Sequence, residues 1–144
     1  MWSQSYEKEY TGIKKEAIWS LWKQIDDYPS WHHDLEICKL EGEFKVGHFF
    51  RLKPKGGPEF KVYFTEIIDG TKFTDVTQFF GAKMYDTHEV LDTPNGIKIR
   101  STISVTGLLS FFWIRVVAKN VANSAPDEMD AVVALARKKY IIIE

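Results

Sequence analysis

Residues 97–113 read Ile97-Lys98-Ile99-Arg100-Ser101-Thr102-Ile103-Ser104-Val105-Thr106-Gly107-Leu108-Leu109-Ser110-Phe111-Phe112-Trp113, and the change of rhythm at Gly107 decides the fold. Before Gly107 the side chains alternate. Ile97, Ile99, Ser101, Ile103 and Val105 share one face of a strand, and Lys98, Arg100, Thr102, Ser104 and Thr106 share the other. After Gly107 the apolar residues recur at helical spacing, with Leu109, Phe112, Trp113 and Val116 as one stripe and Ala125, Met129, Val132 and Ala136 as a second. A straight helix over 108–140 would be about 50 Å long. Strands of six to ten residues reach only about 20–34 Å. A kink or break is therefore expected at Pro126, behind the polar group Asn120, Asn123 and Ser124.

Upstream of residue 97 the period of two continues. Segments near 35–41, 48–54, 59–68, 72–80 and 83–91 read as strands, separated by turn signals such as Gly56-Gly57-Pro58, Asp69-Gly70 and Pro94-Asn95-Gly96. Short connections between successive strands imply hairpins, hence an antiparallel meander. Residues 3–10 form one further expected strand. Between it and the meander, Ile18, Leu21, Trp22 and Ile25 mark a helix with Glu16 in its first turn, where a negative charge suits the helix dipole. Asp26-Asp27-Tyr28-Pro29 is expected to end that helix, and a short turn or second helix follows through Trp31-His32-His33. The resulting order, β-α-α-β6-α, is an α+β arrangement: a curved antiparallel sheet covered by a long, kinked C-terminal helix. Because a bent sheet and a helix diverge, a hollow is expected between them.

The chain has 144 residues, enough for one core, and no repeat or linker divides it; residues 1–144 read as a single domain. Nineteen Lys and Arg balance twenty Asp and Glu, which argues against a nucleic-acid binder. Arg137-Lys138-Lys139 complement a helix C-terminus instead. Aromatic residues reach 15%, enough to build a core and line an apolar pocket. Cys38 is the sole cysteine, and the first residues lack the basic flank and apolar run of a signal peptide. No segment is apolar enough for stable membrane insertion. A cytoplasmic location is the expectation.

Several stretches resemble the Bet v 1-like (START-like, SRPBCC) superfamily, and within it the bacterial proteins of the polyketide cyclase/dehydrase type. They are Glu16-Ala17-Ile18-Trp19, Tyr28-Pro29-Ser30-Trp31, Leu40-Glu41-Gly42 with Gly47, His88-Glu89-Val90, Asn95-Gly96 and Gly107-Leu108-Leu109. The resemblance implies a helix-grip fold with a cavity between sheet and C-terminal helix that takes lipids, polyketides or other apolar molecules. It carries over no shared catalytic signature.

Strand alternation turns Met84, Asp86, His88 and Val90 inward, together with Ile99, Ser101 and Ile103. Asp86 and His88 are then candidate polar anchors or, alternatively, an acid/base pair in a dry pocket. Residues two apart on a strand are separated by about 6.6–6.8 Å, too far to assume a direct bond. Trp31 is read as a core or pocket-mouth aromatic. From the helix, Phe112, Trp113, Val116 and Asn120 complete the expected ligand-binding set, and Arg115 is either a carboxylate anchor or part of an internal salt bridge. The 108–118 segment is apolar on both faces, so it is buried on two sides, opens as a ligand portal, or meets a second subunit or a lipid surface. Adjacent histidines diverge in extended structure and no zinc spacing occurs, so no metal and no cofactor are expected.

Three functions compete on these residues. The first is binding of a small hydrophobic molecule by a monomer or homodimer. The second is a cyclase or dehydratase using Asp86 or His88. The third is a co-chaperone-like interaction module, with a filled cavity and a large exposed apolar patch on 108–118.

Overall fold

A computed structural model describes residues 1–140. Strand β1 (Trp2–Thr11) leads into α1 (Lys15–Lys23) and a 3-10 helix (Ile25–Ser30). Six strands follow: β2 (Leu35–Glu41), β3 (Phe49–Pro54), β4 (Phe60–Ile68), β5 (Lys72–Phe79), β6 (Ala82–Thr93) and β7 (Gly96–Thr106). Every pairing is antiparallel, and the order across the sheet is β1-β7-β6-β5-β4-β3-β2. The meander is thus extended by the first strand, which lies beside the last. Irregularities at Leu35/Ile37 and Phe64/Glu66 shift the register of β2 and β4, a device that bends and twists a sheet.

The first helix departs from expectation at its end. It stops at Lys23, and Pro29 sits inside the 3-10 helix instead of terminating an α-helix. The Trp22 carbonyl, which a continuing helix would offer to the amide of Asp26, instead accepts the Tyr28 hydroxyl at 2.5 Å. Ile25 still reaches the core, at 1% exposure.

The C-terminal helix comprises α2 (Ser110–Trp113), a π-helical turn (Ile114–Ala118), α3 (Lys119–Asn123) and α4 (Ala125–Tyr140). Its break falls at Ser124, two residues before Pro126, where the Ser124 Oγ lies 2.8 Å from both the Val121 carbonyl and Glu128 Oε1. The wide π turn was not legible in the apolar stripes. Gly107 supplies the sharp entry with φ 114°, and a Cβ there would meet the Gly81 carbonyl at 2.5 Å.

Two apolar clusters result. The larger joins α1, the 3-10 helix, α4 and the facing strands around Ile18, Leu21, Phe64, Phe73, Val90 and Val132. Its aromatic rings meet edge to face, Trp19 and Trp22 lying 6.1 and 5.7 Å from Phe73. The smaller joins Phe79, Ala82, Met84, Ile103 and Val105 to Ala118 and Ala122. Those two alanines let the helix approach the sheet closely at that end. Between the clusters the two layers part.

Candidate functional site

The gap is a cavity of about 550 Å³ with predominantly apolar walls. Trp22, Tyr28, Trp31, Phe50, Phe73 and Phe79 come from the first helices and the sheet, and Val117, Val121, Met129 and Val132 close it from the C-terminal helix. Its volume lies within the usual range of small-molecule sites.

A cluster of titratable side chains interrupts the apolar lining, which also carries Thr77, Ser101, Asn120, Ser124 and Glu128. The β5–β6 register sets Asp75 opposite Asp86 and Phe73 opposite His88, all on the concave face. His88 Nε2 lies 3.3 Å from Asp86 Oδ1 and 3.9 Å from Asp75 Oδ2. The spacing along the strand therefore does not keep Asp86 and His88 apart, because side chains can lean towards one another. This contact is an ion attraction off the line of a directed hydrogen bond, and Asp86 Oδ1 is buried with no hydrogen-bond partner. The His88 ring stacks on Phe73 with centroids 4.5 Å apart, and Trp22 lies 5.7 Å away. Trp31 Nε1, also buried, lacks a partner too. Trp31 thus offers an unpaired donor, and Asp86 an oxygen held by charge but without a directed hydrogen bond, in one apolar hollow where an unsatisfied polar atom is costly.

Burial acts most strongly on the titration of this cluster. It opposes the charged form of His88, yet the surrounding Asp86, Asp75 and Glu128 carboxyls overcome it and push the imidazole up to about 9. Burial, then the facing Asp86 carboxyl, hold Asp75 well above the ordinary carboxyl range, only partly offset by His88. At neutral pH the cluster therefore holds an imidazolium beside an Asp75 carboxyl that keeps its proton more tightly than an ordinary carboxyl does. Such a pair can donate protons or hydrogen bonds to a polar group on a guest. The same three side chains bring ligating atoms within 4.8 Å of one another and could hold a metal ion. No linear motif announces that set, since one member comes from the neighbouring strand.

At the rim, His32 Nε2 contacts Glu128 Oε1, tying the loop after the 3-10 helix to α4. Burial lowers His32, but the Glu128 contact outweighs it and raises the group overall. His33 is exposed, so the two histidines diverge. Cys38 is 5% exposed, and burial pushes its thiol up to about 12, which leaves it a packing residue with little nucleophilic thiolate.

Of the residues picked from sequence, Trp31, Met84, Asp86, His88, Ile99, Ser101, Val116 and Asn120 line the cavity. Four lie outside the lining. Ile103 is buried under Ala118 and Ala122 in the smaller cluster. Trp113 stacks on Phe79 at 4.3 Å and donates its Nε1–H to the Phe80 carbonyl at 2.8 Å. Phe112 is 48% exposed. Arg115 is exposed and makes no ion pair among the described residues, so it is neither a cavity anchor nor an internal salt bridge. The physical reason is position along the helix: Phe112 and Trp113 precede the π turn and lie past the end of the cavity, where the helix closes on the smaller cluster, so Val117 and Val121 further along form the wall. Sequence reasoning also missed Asp75 and Glu128. The alternation Phe73-x-Asp75-x-Thr77-x-Phe79 carries the signal for the first, and the spacing Ala125, Glu128, Val132 carries it for the second.

This architecture is the helix-grip fold of the Bet v 1-like proteins. Among solved structures, protein MLL2253 from Mesorhizobium loti matches with 14% identity and a TM-score of 0.73, over 94% of this chain and 97% of that one. Norcoclaurine synthase from Thalictrum flavum, solved in complex with dopamine and hydroxybenzaldehyde, matches with 16% identity and a TM-score of 0.69, over 94% and 87%. Ara h 8.0201 matches with 12% identity and a TM-score of 0.73, over 94% and 99%. No protein-family model and no curated protein sequence matches the chain. Likeness at this identity defines the fold.

Proposed function

We propose that the protein encloses a small, mainly apolar ligand, lipid-like, aromatic or polyketide-like, between the sheet and the C-terminal helix. The observation that carries this reading is the cavity of about 550 Å³ lined by aromatic and aliphatic side chains, with the unpartnered Asp86 Oδ1 and Trp31 Nε1 among its lining residues. Burial of ligand surface supplies the driving force at about 25 cal/mol per Å² before the costs of association. The polar atoms then fix orientation. A guest with one polar end suits the hollow better than a hydrocarbon, because it satisfies groups that are otherwise left unpaired. No protein-bound cofactor and no nucleic acid enter this reading. Its setting is a monomer or homodimer in the cytoplasm.

Native mass spectrometry of the purified protein, together with titration of a hydrophobic fluorescent probe, tests it. The expected result is a co-purified apolar compound or saturable probe binding. Asn120→Trp, at the exposed edge of the lining, should weaken probe binding by about tenfold, since an indole can swing into the hollow without disturbing the core. Wild-type protein that carries no guest and ignores the probe would overturn it.

A second reading rests on the Asp75–Asp86–His88 juxtaposition. A raised carboxyl beside a raised imidazole is the arrangement of an acid–base enzyme. A cyclase or dehydratase would use His88 or Asp86 to move protons, and Thalictrum flavum norcoclaurine synthase, an enzyme by name, shares the fold. Loss of turnover with retained probe binding in His88→Gln would favour this reading, once a substrate is found. The co-chaperone-like alternative calls for a filled cavity and a large exposed apolar patch on 108–118; the open hollow speaks against the first, while exposed Leu108 and Phe111 fit the second.

A further inference from the structure

The end of the molecule beyond the smaller cluster carries bulky apolar side chains that nothing covers. Leu108 is 93% exposed, Phe80 83%, Phe111 71%, and Phe112 and Val116 are each 48% exposed. They come from two segments, the β5–β6 turn and the start of the C-terminal helix, which are fastened together. Trp113 Nε1 donates to the Phe80 carbonyl at 2.8 Å, the Leu109 amide donates to the Gly81 carbonyl at 2.9 Å, and the Trp113 ring stacks on Phe79. The apolar surface is therefore a built platform. Contiguous exposed side chains of this size mark an interaction site.

Charge selects the occupant. No Asp or Glu occurs between Asp92 and Asp127, so the platform's helix carries only cations. Arg115 and Lys119 on that helix, and Lys83 after the turn, are exposed and make no ion pair among the described residues. Elsewhere on the sheet Lys98 and Arg100 both meet Glu7. In a symmetric dimer the platform would face its own copy, setting these unpaired cations against the same cations. Anionic headgroups have the complementary sign, and Arg and Lys can reach them while apolar neighbours enter the acyl boundary.

We propose that this platform docks reversibly on an anionic lipid bilayer. Contact is interfacial, as no helix among the described residues is long and apolar enough to cross a membrane. Val116 belongs both to the platform and to the cavity lining, and Val117 and Val121 follow it on the cavity side. Docking therefore places the bilayer against the helical wall of the hollow. The attraction itself needs no ligand, so it stands or falls apart from the cavity reading.

Co-sedimentation with phosphatidylcholine vesicles, with and without phosphatidylglycerol, tests the proposal. The protein should pellet with the anionic vesicles, less so as salt rises, and weakly with neutral ones. Leu108→Asp with Phe111→Asp should reduce the bound fraction by about tenfold or more. Arg115→Glu with Lys119→Glu should remove the preference for anionic lipid. All four residues are exposed, so the thermal midpoint and probe binding to the cavity should persist and separate a docking defect from a folding or cavity defect. Failure to pellet with anionic vesicles would overturn the proposal, as would binding unchanged in the variants. A concentration-dependent dimer in analytical ultracentrifugation, abolished by Leu108→Asp with Phe111→Asp, would assign the platform to a second copy and equally overturn it.

Discussion

Between Ala125 and Tyr140 the C-terminal helix is regular and buries Ala125, Met129, Val132, Val133 and Ala136. Between Ser110 and Asn123 the same helix is broken into an α turn, a π turn and another α turn, and it buries only Ala118 and Ala122. The difference lies in what each half meets. The second half packs against α1, whose Ile18, Leu21 and Trp22 bring a second helical layer onto the sheet. The first half has no such partner and covers the edge of a hollow. Stability is concentrated where three layers meet. The binding surface lies where two layers separate, a division expected of a site that must admit a guest.

Four measurements would break or sharpen that contrast. The largest effect should come from the well-packed half: Phe64→Ala, at a position 1% exposed, should cost about 3–5 kcal/mol in denaturant unfolding. A loss under about 1 kcal/mol would show that this half does not carry the stability.

The cavity floor should reveal itself in pH dependence. His88 has a folded-state value of about 9 against an ordinary 6.5, so the native state binds the extra proton. Its contribution is fully present below pH 6.5 and is lost as pH rises through about 9, amounting to about 1–3 kcal/mol. Asp75, also raised, acts in the same direction from its ordinary 3.8 upward. Unfolding free energies measured across this range should fall with pH, and His88→Gln should flatten the upper part. An unchanged slope in the variant would remove His88 from the account.

Asp75→Asn should stabilise the protein at neutral pH by about 0.5–2 kcal/mol, because an amide fills the same space without a buried acid facing another. Destabilisation instead would mean that the Asp75 carboxyl makes a favourable interaction with His88. The smallest effect belongs to the loose half. Phe111→Ser should change stability by less than about 0.5 kcal/mol, as the ring is 71% exposed. A larger loss would show that the platform is part of the core.

Much of this architecture was readable before any coordinates. The strand segments were legible because each has a wet and a dry face, so alternation at Ile97, Ile99, Ile103 and Val105 survives as a pattern. The inward pointing of Met84, Asp86 and His88 followed from the same rule. Ideal helical counting groups Phe112 and Trp113 with Val116 and Asn120, which do line the cavity, but the first two lie past its end beside the smaller cluster, and Arg115 turns to solvent. Ile103 has the correct face but the wrong position along the strand, because Ala118 and Ala122 bring the helix down upon it. Asp75 was overlooked although its strand alternates as cleanly as the next.

The amino-acid order by itself determined the strands and the main helices, their succession and the face each strand turns inward, since these depend on periodicity and turn chemistry within a few residues. Only the tertiary structure decided where helix and sheet part, that Asp75 of β5 stands beside Asp86 and His88 of β6, and that Leu108 and Phe111 remain uncovered. Those outcomes depend on register and on the distance between layers. Distance between layers is set jointly by side chains far apart along the chain, so no local pattern records it.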